Sequence, residues 1–288
     1  MKLEIPIVDD LPLLARIVVE GFLDGLHRSP FLGYSTEFSS YRPYAPGDNL
    51  RHLDWKVWAR TDQLYIRQFE DDTNFRCHIL LDTSASMDFG AGDAHKFASA
   101  RILAAVLAQL MVRQRDAPGL VLFGSDARVA LPPRASRDQA LEVFSLLSET
   151  RPGGPTRMGP DLDGILQTLV RRGLVVVISD FFTDEQTILD LLRRLHGMGQ
   201  EVLVFHLLAP EEIDFNLEGE FLMEELESGS EMIVDAGEFR TEFQRRVGAF
   251  CERIRSQCLA LEADYQRLRT DEPIEIALTR YLERRAAL

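Results

Sequence analysis

The stretch His78–Gly90, HILLDTSASMDFG, holds the residues best placed to do chemistry. An apolar run ends in Asp82, and Ser84 and Ser86 follow at alternate positions. Three chemistries start from a carboxylate at the end of a buried strand. Asp82 could accept a phosphoryl group, a serine could attack a carbonyl, or the three oxygens could hold a metal ion. A phosphatase that forms an aspartyl-phosphate needs a second aspartate two residues on as acid/base. Ser84 stands there, and its hydroxyl cannot shuttle a proton near neutral pH. A serine hydrolase wants a G-x-S-x-G elbow and a histidine base. TSASM has no flanking glycines, and no histidine sits on a loop after a later strand in the expected order. The metal reading fits better. Alternating residues on an extended loop can aim their oxygens at one point, and carboxylate and hydroxyl oxygens are hard ligands suited to Mg²⁺ or Mn²⁺. Three protein oxygens do not fill an octahedron, so other loops must contribute.

The rest of the chain has to position those loops. Leu13, Leu14, Ile17, Val18, Phe22 and Leu26 predict a helix over 11–27. QLYIRQFED reads as a strand, and CHILLD (77–82) as a short buried one. A long Ala/Leu-rich helix is predicted over 94–115, a strand over 118–124 and an edge strand in ARVALPP. Helices follow at 136–149 and 160–172, then a buried strand at 173–180, a helix to His196 and a strand at 201–208. Helices at 237–257 and 274–287 close the chain. Strands alternating with helices predict an α/β fold: a doubly wound, mostly parallel sheet flanked by helices. Residues 1–75 form an N-terminal helix and an irregular aromatic/β extension packed on the core, and 76–288 the main domain with its C-terminal helices. Ligands of such sheets bind at the carboxyl ends of the strands. Two predicted strands end there in an aspartate, Asp82 and Asp180 in VVVISD. The loop GGPTRMG presents Thr156 beside glycines that permit close backbone approach. A set with few carboxylates and several neutral oxygens leaves an ion electron-poor, with room for a Glu or Asp from a partner protein.

DTSAS, then Thr156 in GGPT, then Asp180 in VVVISD resembles the metal-ion-dependent adhesion site of von Willebrand factor A domains. That resemblance implies a doubly wound parallel sheet and a metal completed by a partner's acidic residue. It assigns Asp82, Ser84, Ser86, Thr156 and Asp180 to the five coordinating positions, some through water. The implied ion is Mg²⁺, with Mn²⁺ or Ca²⁺ as alternatives. Mg²⁺ binds weakly when several ligands are waters, so a purified sample need not carry it. A second resemblance covers most of the chain. YRPYAPGDNLRHLDWKVWARTDQLYIRQFED is similar to the signature of the bacterial domain of unknown function 58 family. Arg42, Tyr44, Pro46, Gly47, Asp48, Arg51, Asp54, Trp55, Ala59 and Arg60 stand at matching places, and Leu53 replaces the commoner Ile. Many members carry two N-terminal membrane helices, and this sequence looks like the type without them. Genes of the family commonly neighbour those of MoxR-type AAA+ ATPases. The resemblance therefore implies a non-enzymatic adaptor or chaperone-like partner of such an ATPase.

Composition narrows the alternatives. Hydrophobic residues make up 45% and charged ones 27%, ordinary for a globular chain of 288 residues. A net charge of −14 disfavours nucleic acid and anionic membranes as partners, since both need basic surface. Between Glu201 and Glu238 stand twelve Asp or Glu and no Lys or Arg. The expectation there is a solvated acidic surface, with a docking face for a basic partner as the alternative. Cys77, Cys251 and Cys258 form no CxxC pair, which argues against a zinc site or a disulfide framework. Cys251 and Cys258 are seven apart and are expected to face the core. Acidic residues replace the basic start of a signal peptide, and no run approaches the about 18 apolar residues of a membrane span, so a cytoplasmic protein is expected.

Each motif has a plainer reading. Ser84 and Ser86 could simply cap the turn into the next helix. Asp180 is followed by Phe181 where A domains commonly have glycine, which puts the local loop geometry in question. Asp184 is a nearby carboxylate expected to cap a helix. The block GDNLRHLDW is expected to be architectural, an aromatic wrap whose Arg and Asp satisfy one another. The alternative function is a metal-dependent hydrolase using the same site, with Asp88 and Asp163 as bases.

Overall fold

The computed structural model describes residues 10–28, 41–43, 65–67, 75–124, 129–154, 163–164, 166–167, 169, 172–182, 185–215, 219–224, 231–276 and 278–279. The elements run α1 (Leu11–Arg28), β1 (Tyr41–Pro43), β2 (Tyr65–Arg67), β3 (Arg76–Asp82), α2 (Lys96–Arg113), β4 (Ala117–Phe123), β5 (Val129–Leu131), α3 (Gln139–Glu149), β6 (Leu174–Ser179), α4 (Glu185–Gly197), β7 (Glu201–Leu208), α5 (Pro210–Asp214), β8 (Glu220–Glu224), β9 (Glu231–Asp235), α6 (Ala236–Ala260) and β10 (Asp264–Arg269).

The main sheet has six strands in the order β5-β4-β3-β6-β7-β10. β4, β3, β6, β7 and β10 are parallel, and β5 runs antiparallel at one edge. The four central strands read as near-continuous apolar runs because helices cover both of their faces. Alternate residues divide cleanly between two cores. Ile79, Leu81, Leu120, Leu122, Val176 and Ile178 pack with α1, α2 and α3. Leu80, Val121, Phe123, Val175, Val177 and Val204 pack on the other side with α4 and α6. Leu11, Ala15, Val18 and Val19 of α1 belong to the first core, so the N-terminal helix shares the main hydrophobic cluster.

The chain moves outward from β3 through β4 to β5, then returns to start β6 on the other side of β3. The strand order therefore reverses between β3 and β6, and the crevice of such a sheet opens above their carboxyl ends. Asp82 ends β3, and Asp180 directly follows β6. The doubly wound, mostly parallel architecture expected from the sequence is the one observed.

Three strands and the short helix α5 were not expected. β10, DYQRLR, closes the second edge by pairing parallel with β7. Its buried residues include Gln266 beside Tyr265 and Leu268, so its sequence lacks the apolar run that marks the central strands. β8 and β9 form an antiparallel hairpin inside the acidic segment. Cys251 and Cys258 face the core, as expected of their spacing on α6. Among the described residues no helix is long and apolar enough to cross a membrane.

Candidate functional site

The loop after β3 bends at once into a single 3₁₀ turn, Ala85–Met87. Two backbone hydrogen bonds fasten it to the loop after α3. Ala85 N–H donates to the Gly154 carbonyl at 2.8 Å, and Gly153 N–H donates to the Thr83 carbonyl at 2.9 Å. Gly154 is two residues from Thr156, within about 7 Å of extended chain. Thr156 itself lies outside the described residues, as does Asp184.

Asp82, Ser84, Ser86 and Asp180 do come together. Asp82 is 1% exposed, Ser84 and Asp180 0%, and Ser86 8%, so Ser86 is the most exposed of these four. Asp82 accepts from Ser84 N–H through Oδ1 at 2.9 Å and from Ser179 Oγ through Oδ2 at 2.6 Å. Ser84 Oγ lies 3.0 Å from Ser86 Oγ, and Ser86 Oγ donates to Asp180 Oδ1 at 3.1 Å. Ser84 makes no side-chain cap to the 3₁₀ turn. The two serines thus link the two carboxylates rather than serving as helix caps.

The structure adds residues the sequence did not single out. Lys96, the first residue of α2, is fully buried. Its Nζ donates to Asp180 Oδ2 and to Glu212 Oε1, both at 2.7 Å. Glu212 on α5 uses its other oxygen to accept from Ala209 N–H at 2.8 Å. The Phe89 and Phe182 rings lie 5.3 Å and 4.9 Å from Nζ. Lys96 was not singled out in the sequence; the one signal that could have marked it is that a cation in the first helical turn opposes the macrodipole. Ser179, inside the strand motif itself, is the second unanticipated partner. Its hydroxyl donates to Asp82 and accepts from Phe181 N–H at 2.9 Å.

The Asp180–Phe181 departure has a physical resolution. Phe181 takes φ 57°, the left-handed conformation that favours glycine. Its ring is 1% exposed and stacks edge-on against His206 with centroids 5.4 Å apart. Ring burial thus holds a backbone shape that glycine would adopt freely. Phe181→Ala is expected to lose about 3–4 kcal/mol in urea denaturation. Phe181→Gly should lose about 1 kcal/mol less, because it relieves the left-handed strain. Equal losses would show that the φ angle carries no strain.

The electrostatics are unbalanced. Asp82, Asp180 and Glu212 are three buried carboxylates, and the ammonium of Lys96 pairs with the last two. Burial, and then the neighbouring Asp180, push the Asp82 carboxyl up to about 6. Burial also raises Glu212, more than Lys96 lowers it. Burial disfavours the charged form of Lys96, but Asp180 and Glu212 more than offset this and hold it above its ordinary value. Lys96 is therefore a fixed cation. Among the described residues no three His, Cys, Asp or Glu side chains form a ready metal cage. The donor set here is instead two carboxylates and two hydroxyls, and its excess negative charge suits a hard divalent cation.

The sequence profile of DUF58, a protein family of unknown function, matches residues 40–251. The chain belongs to the DUF58 family. The match spans both the signature block and all three loops of the site. Within the block, Arg42 falls on β1, paired opposite Ile66 of β2. Tyr44, Pro46, Gly47, Asp48, Arg51, Asp54, Trp55 and Arg60 lie outside the described residues. This DUF58 chain is 28% identical to the uncharacterized protein Rv1480 of Mycobacterium tuberculosis, over 96% of this chain and 89% of that one. Among solved structures it resembles the conserved hypothetical protein BatB of Bacteroides thetaiotaomicron. The overlap has 16% identity and a TM-score of 0.47, covering 74% of this chain and 100% of BatB. It also resembles the SpRpn10 VWA domain, at 12% identity and a TM-score of 0.41, over 72% and 94% of the two chains. The fold class of the DUF58 chain follows from its own sheet order and not from these overlaps.

Proposed function

We propose that this DUF58 chain is a non-enzymatic, divalent-metal-dependent protein-interaction module, an adaptor or chaperone-like partner of a MoxR-type AAA+ ATPase. The supporting observation is the convergence of Asp82, Ser84, Ser86 and Asp180 where the strand order reverses, with more buried negative charge than Lys96 balances. Asp82, Ser84, Ser86 and Asp180 would hold the ion, with Thr156 from the adjoining loop. Mg²⁺ suits this set, with Mn²⁺ or Ca²⁺ as alternatives. When bound, the ion supplies a positive centre that a partner's Asp or Glu can complete. This chain's own residues orient the donors and bury Asp82, Ser84 and Asp180. Ser86 is the least buried of the donors, and the exposed residues next to it are Phe182, 37% exposed, whose N–H shares Asp180 Oδ1 with Ser86, and Asp88.

The hydrolase alternative has less support. Asp88 pairs with His95 Nε2 at 3.0 Å, and Asp163 pairs with Arg194 on α4. His95 Nδ1 accepts from Ala98 N–H at the start of α2, so neither ring nitrogen is free to act as a base. Both carboxylates nominated as bases are therefore engaged elsewhere.

Binding of a purified MoxR-type AAA+ ATPase from the same organism tests the reading. Chelation by EDTA, or Asp82→Ala, is expected to weaken capture about ten-fold or more, because loss of a metal ligand also leaves its supporting groups unsatisfied. Capture that is unchanged in both conditions would sink the metal-bridged interaction. Turnover of phosphate or carboxylic esters in Mn²⁺, absent in Asp82→Ala, would favour the hydrolase instead.

A further inference from the structure

Lys96 sits where a free-standing metal site would have no need of a cation. The ammonium is 2.7 Å from Asp180, the carboxylate that also accepts from Ser86. It reaches there from the first turn of α2, across a long sequence separation from both acids, and is 0% exposed. Its second partner, Glu212, is itself anchored by the Ala209 N–H. Two aromatic rings line the remaining approach, at 4.9 Å and 5.3 Å. A lysine so completely enclosed is a built feature and not a surface side chain folded inward.

Resting on the metal reading above, we propose that Lys96 is an internal counter-cation of the candidate metal centre. It keeps Asp180 in place without a metal and holds the affinity for a divalent ion down, so that loading can be reversible. Its charge repels an incoming cation across a dry interior, where one unit charge is felt strongly. Its two ion pairs also stop Asp180 and Glu212 from repelling each other when the ion is absent. The site then has two stable conditions, ammonium alone or ammonium plus metal. A partner that donates a carboxylate to the ion favours the second. Lys96 is thus a positioning residue, acting through Asp180.

The measurement is titration calorimetry of the purified chain with MgCl₂ and MnCl₂, alongside thermal melts in EDTA and in excess Mg²⁺. Lys96→Met is expected to bind either ion at least about ten-fold more tightly than the wild type, because it removes one opposing charge. Its melting temperature in EDTA should fall, and Mg²⁺ should restore more of that loss than it adds to the wild type. Glu212→Gln keeps an oxygen for Ala209 N–H and removes one negative charge, so it should bind the ions several-fold more weakly. Opposite shifts in the two variants are not expected of a merely structural lysine. Wild-type binding left unchanged, or weakened, in folded Lys96→Met overturns the Lys96 proposal alone. If Lys96→Met fails to fold, stronger or equal binding by Glu212→Gln overturns it. Absence of binding by the wild type and both variants overturns the metal reading, and the proposal with it. Binding by Lys96→Met alone supports the proposal in its strongest form.

Discussion

Gly124→Ala is expected to lose about 3 kcal/mol of stability, while Gly92→Ala loses no more than about 1 kcal/mol. Both glycines have positive φ, +90° for Gly124 and +55° for Gly92. The difference lies in what surrounds them. A Cβ on Gly124 would stand 2.7 Å from Asp82 Oδ1, 3.1 Å from Ser84 N and 3.3 Å from Ser84 Cβ, whereas one on Gly92 would meet nothing within 4 Å. Asp82 cannot simply move away. Its Oδ1 already takes the Ser84 N–H and its Oδ2 is held by Ser179. Thr83 is fixed to the Phe123 carbonyl by both its N–H and its hydroxyl, each at 2.8 Å. The added methyl must therefore displace the Asp82 carboxylate or open the seam between β3 and β4. Urea denaturation of the two variants measures the difference, and calorimetry with Mg²⁺ should show Gly124→Ala as the one that loses ion binding. Equal stability losses would mean that the loop yields at little cost, and the site would be softer than its hydrogen bonds imply.

The site was legible where its chemistry is local. Asp82, Ser84 and Ser86 lie within five residues, and their alternation is visible without any fold. Asp180 was reachable because a buried strand and a terminal carboxylate are both sequence patterns, and the parallel sheet aligns strand ends. Lys96 and Glu212 were not reachable in the same way. A lysine in an Ala/Leu-rich helix reads as solvated, and Glu212 lies in a segment whose acidic density reads as surface. Their meeting depends on how α2 and α5 pack around the end of β6, a tertiary fact with no periodic signature. β10 escaped for a related reason. An edge strand needs apolar residues only where a helix covers it, and Tyr265 and Leu268 are too sparse a pattern to stand out. In β8 and β9 the short apolar runs were masked by the acidic residues at their ends.

Acid should destabilise this protein before most of its carboxylates titrate. His78 and His206 are buried neutral, each lowered to about 4 chiefly by burial. A histidine held below its ordinary value of 6.5 stabilises the fold above pH 6.5, and that contribution is lost as pH falls toward 4. Each would lose about 2–3 kcal/mol by pH 4.5. Asp82 works the other way. Raised to about 6, it takes up its proton in the folded state first, and returns about 2 kcal/mol over the same range. Glu212 and Asp116, also raised by burial, add to that opposition lower down. The two histidines outweigh Asp82, so a net loss of about 3 kcal/mol is expected between pH 7.5 and pH 4.5 in urea denaturation. His206 Nδ1 lies 2.8 Å from the Tyr265 hydroxyl, a contact that an asparagine oxygen can reproduce. His206→Asn should therefore be less stable at neutral pH yet lose about 2 kcal/mol less on acidification. A variant whose stability falls with pH as steeply as the wild type would show that His206 is not the group that titrates.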